Sequence, residues 1–469
     1  MMRGAPLLIG VLALGGCVSN RLPVPQVAVP PAFEAPQAPS SQAMLDRWWL
    51  AFDDRQLSDL VEQALASAPD ARSALARLRE AQAVRRGALT PYDPQGNISG
   101  GISRSKTSVS GLPALAAAQL GAGSSTAAEG DTTVSWEVDL FGRRAAARKS
   151  ADADLAAATF DYQATRLALA AEVATQLIDA RGLSGQIAEA AETLRISADL
   201  DRVGRLRVTS GIGSEADAAR LDTTLANAQS DLINLKAQLS VARRTLLVLL
   251  GRGSAPIDTL PITATLPMPP RPPALTPGAV MARRPDVAEA EQRLRSAAGA
   301  LRLDQLALFP RLTLQPGASV TKVISPIGYT ETMWSIATGL FVPVLDRARL
   351  LSQIGAQTAR GEQAAIAYEQ TVQTAYGEAE NSLTGLSADL ERIDRLSYAE
   401  QRANYAFASQ QQGYKAGIID LNTLLETEQT WRAARIALVA IRTAALTDAV
   451  TTFKTLGGGW TPQSSSGGN

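Results

Sequence analysis

The sequence predicts a mainly α-helical protein with a small transmembrane β part, organised as two structural repeats, each of two short helices, two strands and two long helices. Three observations carry this. Proline is absent from Ala114 to Ala255 and from Val344 to Thr461, and both stretches are dominated by good helix formers. Four segments of about ten residues alternate apolar with polar side chains, the period of a strand wet on one face. Landmark residues recur at fixed offsets along the chain.

The recurrence sets the domain plan. Pro69-Asp70 returns as Pro285-Asp286, Arg77-Leu78-Arg79 as Arg293-Leu294-Arg295, and Pro94 as Pro310, all 216 residues on. Beyond that Tyr162, Thr165, Glu172 and Leu177 return as Tyr368, Thr371, Glu378 and Leu383, and Gly211-Ile212 as Gly417-Ile418, now 206 residues on. The offset changes where the first copy carries an extra small-residue segment, 111–130, which reads as a loop insertion. The repeats therefore cover 46–251 and 278–460, joined by a proline-rich connector at 252–277 and followed by a flexible tail at 461–469.

Each element has a local reason. The long helices are expected at about 143–209, 214–250, 345–415 and 420–456; the first would be on the order of 100 Å long. Leu167, Leu169, Val173 and Leu177 fall at helical spacing among alanines and polar residues, which suits helices packed side by side with one face wet. The strands are expected at about 95–107, 131–141, 311–323 and 332–343. The clearest sets Val134, Trp136, Val138 and Leu140 against Thr133, Ser135, Glu137 and Asp139; the weakest, 97–107, has only Ile98 and Ile102 as anchors. Ten residues is the length a tilted strand needs to cross a bilayer, though a half-buried sheet on a soluble core shows the same alternation. The chain offers no other obvious core to cover these strands. Four strands cannot close a membrane barrel, and an open sheet in lipid leaves backbone groups unsatisfied, so a membrane sheet requires at least two chains.

Composition excludes much. Lys+Arg and Asp+Glu are 45 each, so no net field gathers nucleic acid. There is no histidine, which removes imidazole catalysis and most zinc, copper and haem sites. The one cysteine, Cys17, rules out an internal disulfide. It ends a targeting signal: Arg3 supplies a positive start, Leu7 to Leu14 is too short to span a bilayer, and LGGC follows. Residues 1–16 thus read as a lipoprotein signal peptide, with acylation of Cys17 and a proline-rich tether over 17–45; an ordinary secretory signal with an incidental cysteine is the other reading. Val18, where aspartate commonly retains bacterial lipoproteins in the inner membrane, resembles outer-membrane sorting.

By order and content, the segments DRWWLAFDDRQLSDLVEQAL (46–65), WEVDLFGR (136–143), RRPDVAEAEQRLRSA (283–297), ALFPRLTL (307–314), GYKAGIIDLNTLLETEQ (413–429) and LGGGW (456–460) resemble the outer-membrane factor family, the TolC-like efflux channels, and its lipidated branch in particular. Ala68, where the family often has asparagine, and Asp346-Arg347, where a more glycine-rich turn is usual, depart from the pattern. The resemblance implies a homotrimer whose strands close a shared 12-stranded barrel in outer-membrane lipid, continuing into an α-helical barrel in the periplasm. It implies a passive exit duct for small molecules (drugs, toxic compounds or metals). The implied partners are a periplasmic adaptor, or membrane fusion protein, and an inner-membrane pump of the RND type. No catalysis and no cofactor beyond the lipid on Cys17 is implied. At the periplasmic tip, Asn422 and Glu426, with Thr423 beside them, match the constriction, and Tyr414 and Asp217 match tip-locking positions. A duct for type I protein secretion is the alternative within the family; a periplasmic lipoprotein adaptor fits two copies of a long unit less well, and for a lipoprotein glycosidase the carboxylates lie on helical surfaces with no second signature.

Overall fold

The computed structural model describes residues 25, 27–36, 45–111, 113, 115, 116, 123–325 and 328–461; the signal peptide, Cys17, part of the tether and the tail after 461 lie outside the described residues. In chain order the elements are α1 (Arg55–Ser67), α2 (Pro69–Gly87), β1 (Gln95–Thr107), β2 (Gly123–Val138), α3 (Arg143–Thr209), α4 (Glu215–Leu249), α5 (Pro277–Arg283), α6 (Pro285–Leu306), β3 (Arg311–Ser325), β4 (Tyr329–Phe341), α7 (Arg347–Lys415) and α8 (Leu421–Thr455). The structure is mostly helix with one small sheet.

The compact units are not the sequence repeats. One unit joins Arg79–Ala157 to Ala290–Tyr368; the other joins Gln26–Leu78, Ala158–Glu289 and Glu369–Asn469. Each takes corresponding pieces from both repeats, because neither repeat closes its own sheet or core: β2 of the first repeat pairs with β3 of the second.

The first unit is organised by an antiparallel sheet in the order β1-β2-β3-β4. Its register puts apolar side chains on one face. Ile98 lies opposite Thr132, then Ala318, then Trp334; Trp136 opposes Leu314; Val138 opposes Leu312 and then Leu340. The other face is largely polar, with Ser99, Asp131 and Ser319 in one row and Glu129, Thr321 and Glu331 in another. Ile98, Ile102, Trp334, Ile336 and Leu340 are all exposed. β1 and β4 are the edges.

Two expectations need correction here. The small-residue segment read as a loop insertion is partly strand: β2 begins at Gly123, and Gly123–Gly130 pairs with Thr107–Gly100 of β1. Backbone pairing, not side-chain pattern, places it there. The same strand ends at Val138 rather than 141, because the Asp139 carboxylate accepts from the amides of Arg143 (2.8 Å) and Arg144 (3.0 Å) and so caps α3. Beyond the strand ends, the Phe141 and Phe309 rings pack at a tilt with centroids 5.1 Å apart, and Gly299 of α6 lets the Ser150 backbone of α3 approach to where a Cβ would be 2.9 Å away.

The second unit has an aromatic core. Trp48 and Phe52, in a short 3-10 helix, pack on Phe453 of α8, with ring centroids 6.0 and 6.1 Å apart. Arg283 closes this end by donating to the carbonyls of Gly457 (3.1 Å) and Trp460 (3.0 Å) and pairing with Asp46. Arg181 of α3 reaches the Asp54 carboxylate that caps α1, both groups being nearly buried. Among the described residues α8 is long and apolar enough to cross a membrane, with mean hydropathy 1.4 over its most apolar stretch. It buries Ile441, Ala445, Leu446, Ala449, Val450 and Phe453, but also Glu428, and reads as the core helix of this unit.

Candidate functional site

The two long-helix turns of the second unit are built alike. α3 ends at Thr209, and Gly211 (φ +75°) reverses the chain; Gly211 and Ile212 donate their amides to the carbonyls of Val208 and Arg207. α7 ends at Lys415, and Gly417 (φ +76°) does the same, with Gly417 and Ile418 donating to Tyr414 and Gly413. This is the Schellman closure of a helix end, which needs a left-handed residue and so favours glycine. Each return helix has a cap: Ser214 accepts from the Ala216 amide (3.2 Å), and Asp420 from the Thr423 amide (2.8 Å). The amide bond holds the exposed Asp420 carboxyl below its ordinary pKa.

Behind these turns Ile196, Phe407, Tyr414 and Leu424 form a buried cluster, with Leu200, Ile419, Leu421 and Trp431 packed on it. Polar ties join the two hairpins over it. Arg207 of α3 donates to the Tyr414 hydroxyl of α7 at 3.1 Å and lies over its ring at 5.5 Å. Arg220 of α4 donates to the Asn422 side-chain oxygen of α8. Arg205 bridges Asp201 and Asp222 within the first hairpin, at 2.9 Å to each. Further from the turns, Trp431 stacks on Phe407 at 4.8 Å and donates to Glu400 at 3.1 Å, while Arg435 lies 4.5 Å over its ring and pairs with Glu189.

The residues singled out in the sequence fall as follows. Tyr414 is buried and tied to Arg207, not to Asp217, which sits exposed in the first turn of α4. Asn422 is held by Arg220, and the Thr423 amide is the donor that Asp420 caps. Glu426 is exposed, one turn on from Asn422 on the same helix face. Its neighbour Glu428 is buried instead, 3.1 Å from Arg432, and burial pushes its carboxyl pKa up despite that arginine. The arginines at 205, 207 and 220 were missed by sequence reasoning. Clustering of arginine in the last turns of α3 was a signal, but the partners of Arg207 and Arg220 lie about two hundred residues away.

The sequence pattern of the outer membrane efflux protein family matches residues 60–252 and again 276–458. The chain belongs to the outer membrane efflux protein family. A pyoverdine export outer membrane protein of Pseudomonas aeruginosa, OpmQ, is 30% identical over 480 residues, covering 98% of this chain and 97% of that one. The solved structure of the outer-membrane channel OprN superposes with a TM-score of 0.80 at 25% identity, over 94% of this chain and 99% of that one. The open-state MtrE outer membrane channel of Neisseria gonorrhoeae gives 0.80 at 22% identity, over 94% and 98%, and shares the fold. The chain is thus an outer membrane efflux channel, and its relatives are channel and export proteins rather than enzymes.

Proposed function

We propose that the chain is the passive outer-membrane duct of a tripartite efflux system, a homotrimer anchored by a lipid on Cys17. The observation that carries this is the open four-stranded sheet with exposed apolar side chains on one face. An unpaired strand edge in lipid costs several kcal/mol per backbone group, so β1 of one copy must meet β4 of another. Three copies give twelve strands, an even number above the minimum of about eight. The helical hairpins then surround a periplasmic tunnel, a periplasmic adaptor docks on it, and an inner-membrane pump of the RND type supplies the energy. The resemblance to OpmQ favours small-molecule cargo over secreted protein.

Glu426, Asn422 and Thr423 line the narrow tip in this reading, and three Glu426 carboxylates attract cations and repel anions. Two measurements test it. Cysteines paired across the edges, Ser99 or Ser103 with Glu331 or Ser335, should oxidise to linked trimers; linkage that stops at dimers sinks the trimer. In planar bilayers Glu426→Ala should reduce cation preference, and unchanged preference and conductance remove Glu426 from the constriction.

A further inference from the structure

The internal repeat allows one half of the chain to be compared with the other. At the α5–α6 junction Arg284 is buried and fully engaged. Its Nη2 donates to Asp286 (2.6 Å) and Glu378 (2.7 Å), its Nε to Asp286 (3.0 Å), and its Nη1 to the carbonyls of Ala375 and Thr455 (3.3 Å each). Carried back by the repeat offsets, 216 residues for the junction and 206 for the long helices, these four partners become Asp70, Glu172, Leu169 and Leu249. All four line a single cleft of about 370 Å³. Arg284 itself becomes Ala68.

The backbone at the two junctions is the same. Ala68 has φ −57° and ψ 142°, and Arg284 has φ −69° and ψ 125°. Each donates its amide to the carbonyl four residues back at 2.9 Å, and each precedes a proline that holds it extended. Gly251 (φ +72°) lies against the first junction as Gly457 (φ +74°) lies against the second. Position 68 therefore starts its side chain in the direction Arg284 takes, and the buried Ala68 ends at its Cβ, beside Pro69 and Asp70 of the cleft segment.

The cleft keeps both carboxylates, with the cations Arg77 and Lys454 also in its lining. α4 ends at Leu249 with no basic residue in its last turn, so the partial negative charge of the helix end is not offset from within the helix. Its closing bonds, from Gly251 and Arg252, use the carbonyls of Val248 and Leu247 and not that of Leu249. In the second repeat the equivalent closing bonds likewise bypass Thr455, whose carbonyl accepts from Arg284.

We infer that this cleft binds a guanidinium group brought by a ligand from outside the chain, held by the Asp70 and Glu172 carboxylates and the Leu169 and Leu249 carbonyls as Arg284 is held in the second repeat. A planar guanidinium presents its donors as a fork, which matches two carboxylates and two carbonyls; an ammonium is a single point of charge and does not. Arg77 and Lys454 line the same cleft and suit a ligand with an anionic far end, such as a free arginine-like zwitterion. An arginyl side chain of a partner protein is the other source of the same group.

Calorimetric titration of the purified full-length protein in detergent tests this. Agmatine, L-arginine and Nα-acetyl-arginine amide should bind, and Nα-acetyl-lysine amide should bind at least about tenfold more weakly, the equivalent of one lost charge-assisted bond. Ala68→Arg should abolish binding by filling the cleft from within. Glu172→Gln and Asp70→Asn should each weaken it, and they carry the test if Ala68→Arg does not assemble. Tighter binding of L-arginine than of the amide identifies a small zwitterion as the ligand, and the reverse order identifies a partner's arginine. The inference is overturned if no guanidinium compound binds the wild-type protein. It is also overturned if the affinity is the same in Ala68→Arg or in both carboxylate variants.

Discussion

In the proposed duct the tie between Arg207 and Tyr414 gives the most direct handle on opening, because it joins the two hairpins at their turns. Arg207→Ala removes a hydrogen bond from a cation to the Tyr414 hydroxyl and a guanidinium–ring contact. The bond is worth about 1.5 kcal/mol, the low end for charged donors, since Arg207 is exposed. The ring contact adds about 0.5 kcal/mol at an exposed site. The loss is about 2 kcal/mol per chain and about 6 kcal/mol for the three chains of the proposed trimer moving together, against the roughly 5.5 kcal/mol that takes a two-state equilibrium from 1:99 to 99:1. Tyr414→Phe keeps the ring in its cluster with Ile196, Phe407 and Leu424 and loses only the hydrogen bond. Single-channel recording in planar bilayers should show a larger conductance or a higher open fraction for Arg207→Ala, with Tyr414→Phe between it and the wild type. If Arg207→Ala records as the wild type does, the tie does not hold the tip.

Three further outcomes follow from the packing. Burial alone would raise the Asp54 carboxyl, but the Arg181 and Leu57 hydrogen bonds and the Arg181 charge outweigh it and hold its pKa below the ordinary value. Its stabilisation is therefore present above the unfolded-state pKa and lost as pH falls through the folded one, so the melting-temperature gap between wild type and Asp54→Asn should close in acid. Arg181→Met, which leaves that carboxylate buried without its partner, should cost about 3–5 kcal/mol at neutral pH, read from thermal unfolding. Asp448 behaves oppositely: burial and then the charge of Asp389 raise its pKa, so its ionised form is a cost that appears as pH rises through the ordinary carboxylate value. Asp448→Asn should raise the melting temperature at neutral pH and not in acid. Gly457→Ala puts a Cβ 3.1 Å from the Arg283 backbone at φ +74°, whereas Gly417→Ala meets nothing within 4 Å at φ +76°. The second should cost about 1–2 kcal/mol for the left-handed backbone alone and the first clearly more, as compared by thermal melting.

Where a pattern was local, the sequence announced it. The long helices were readable because proline is absent and alanine, leucine, arginine and glutamate fill the stretches. The tip turns were readable from Gly211 and Gly417 with Ser214 and Asp420 close behind. What was hidden depends on distant partners. Gly123–Gly130 has no strand-like side-chain pattern and becomes a strand because β1 and β3 offer hydrogen bonds on either side. Arg207 and Arg220 are ordinary helix arginines until the other hairpin is brought beside them. Ala68 stood out in sequence only as a departure, and its consequence became visible when Arg284 was seen to be buried among four partners.

The two repeats share backbone geometry at their turns and helix ends and differ in side chains there. Both tip turns close with the same glycine geometry, and both return helices end with it, at Gly251 and Gly457. At the tip, however, the repeat offset of 206 sets Glu426 opposite Arg220, Asn422 opposite Ala216 and Tyr414 opposite Val208. One hairpin therefore carries an arginine where the other carries an acid. Arg220 does not neutralise that acid by default, because its guanidinium is held by Asn422, one turn before Glu426 on the same face of α8. Asn422 thus occupies Arg220, and Glu426 on the next turn is an exposed carboxylate. In the proposed duct, an acidic constriction on this hairpin then depends on the pair 422 and 426 together. Asn422→Ala, which frees Arg220 to reach Glu426, should therefore lower cation preference in planar bilayers as Glu426→Ala does, and an unchanged preference would separate the two residues.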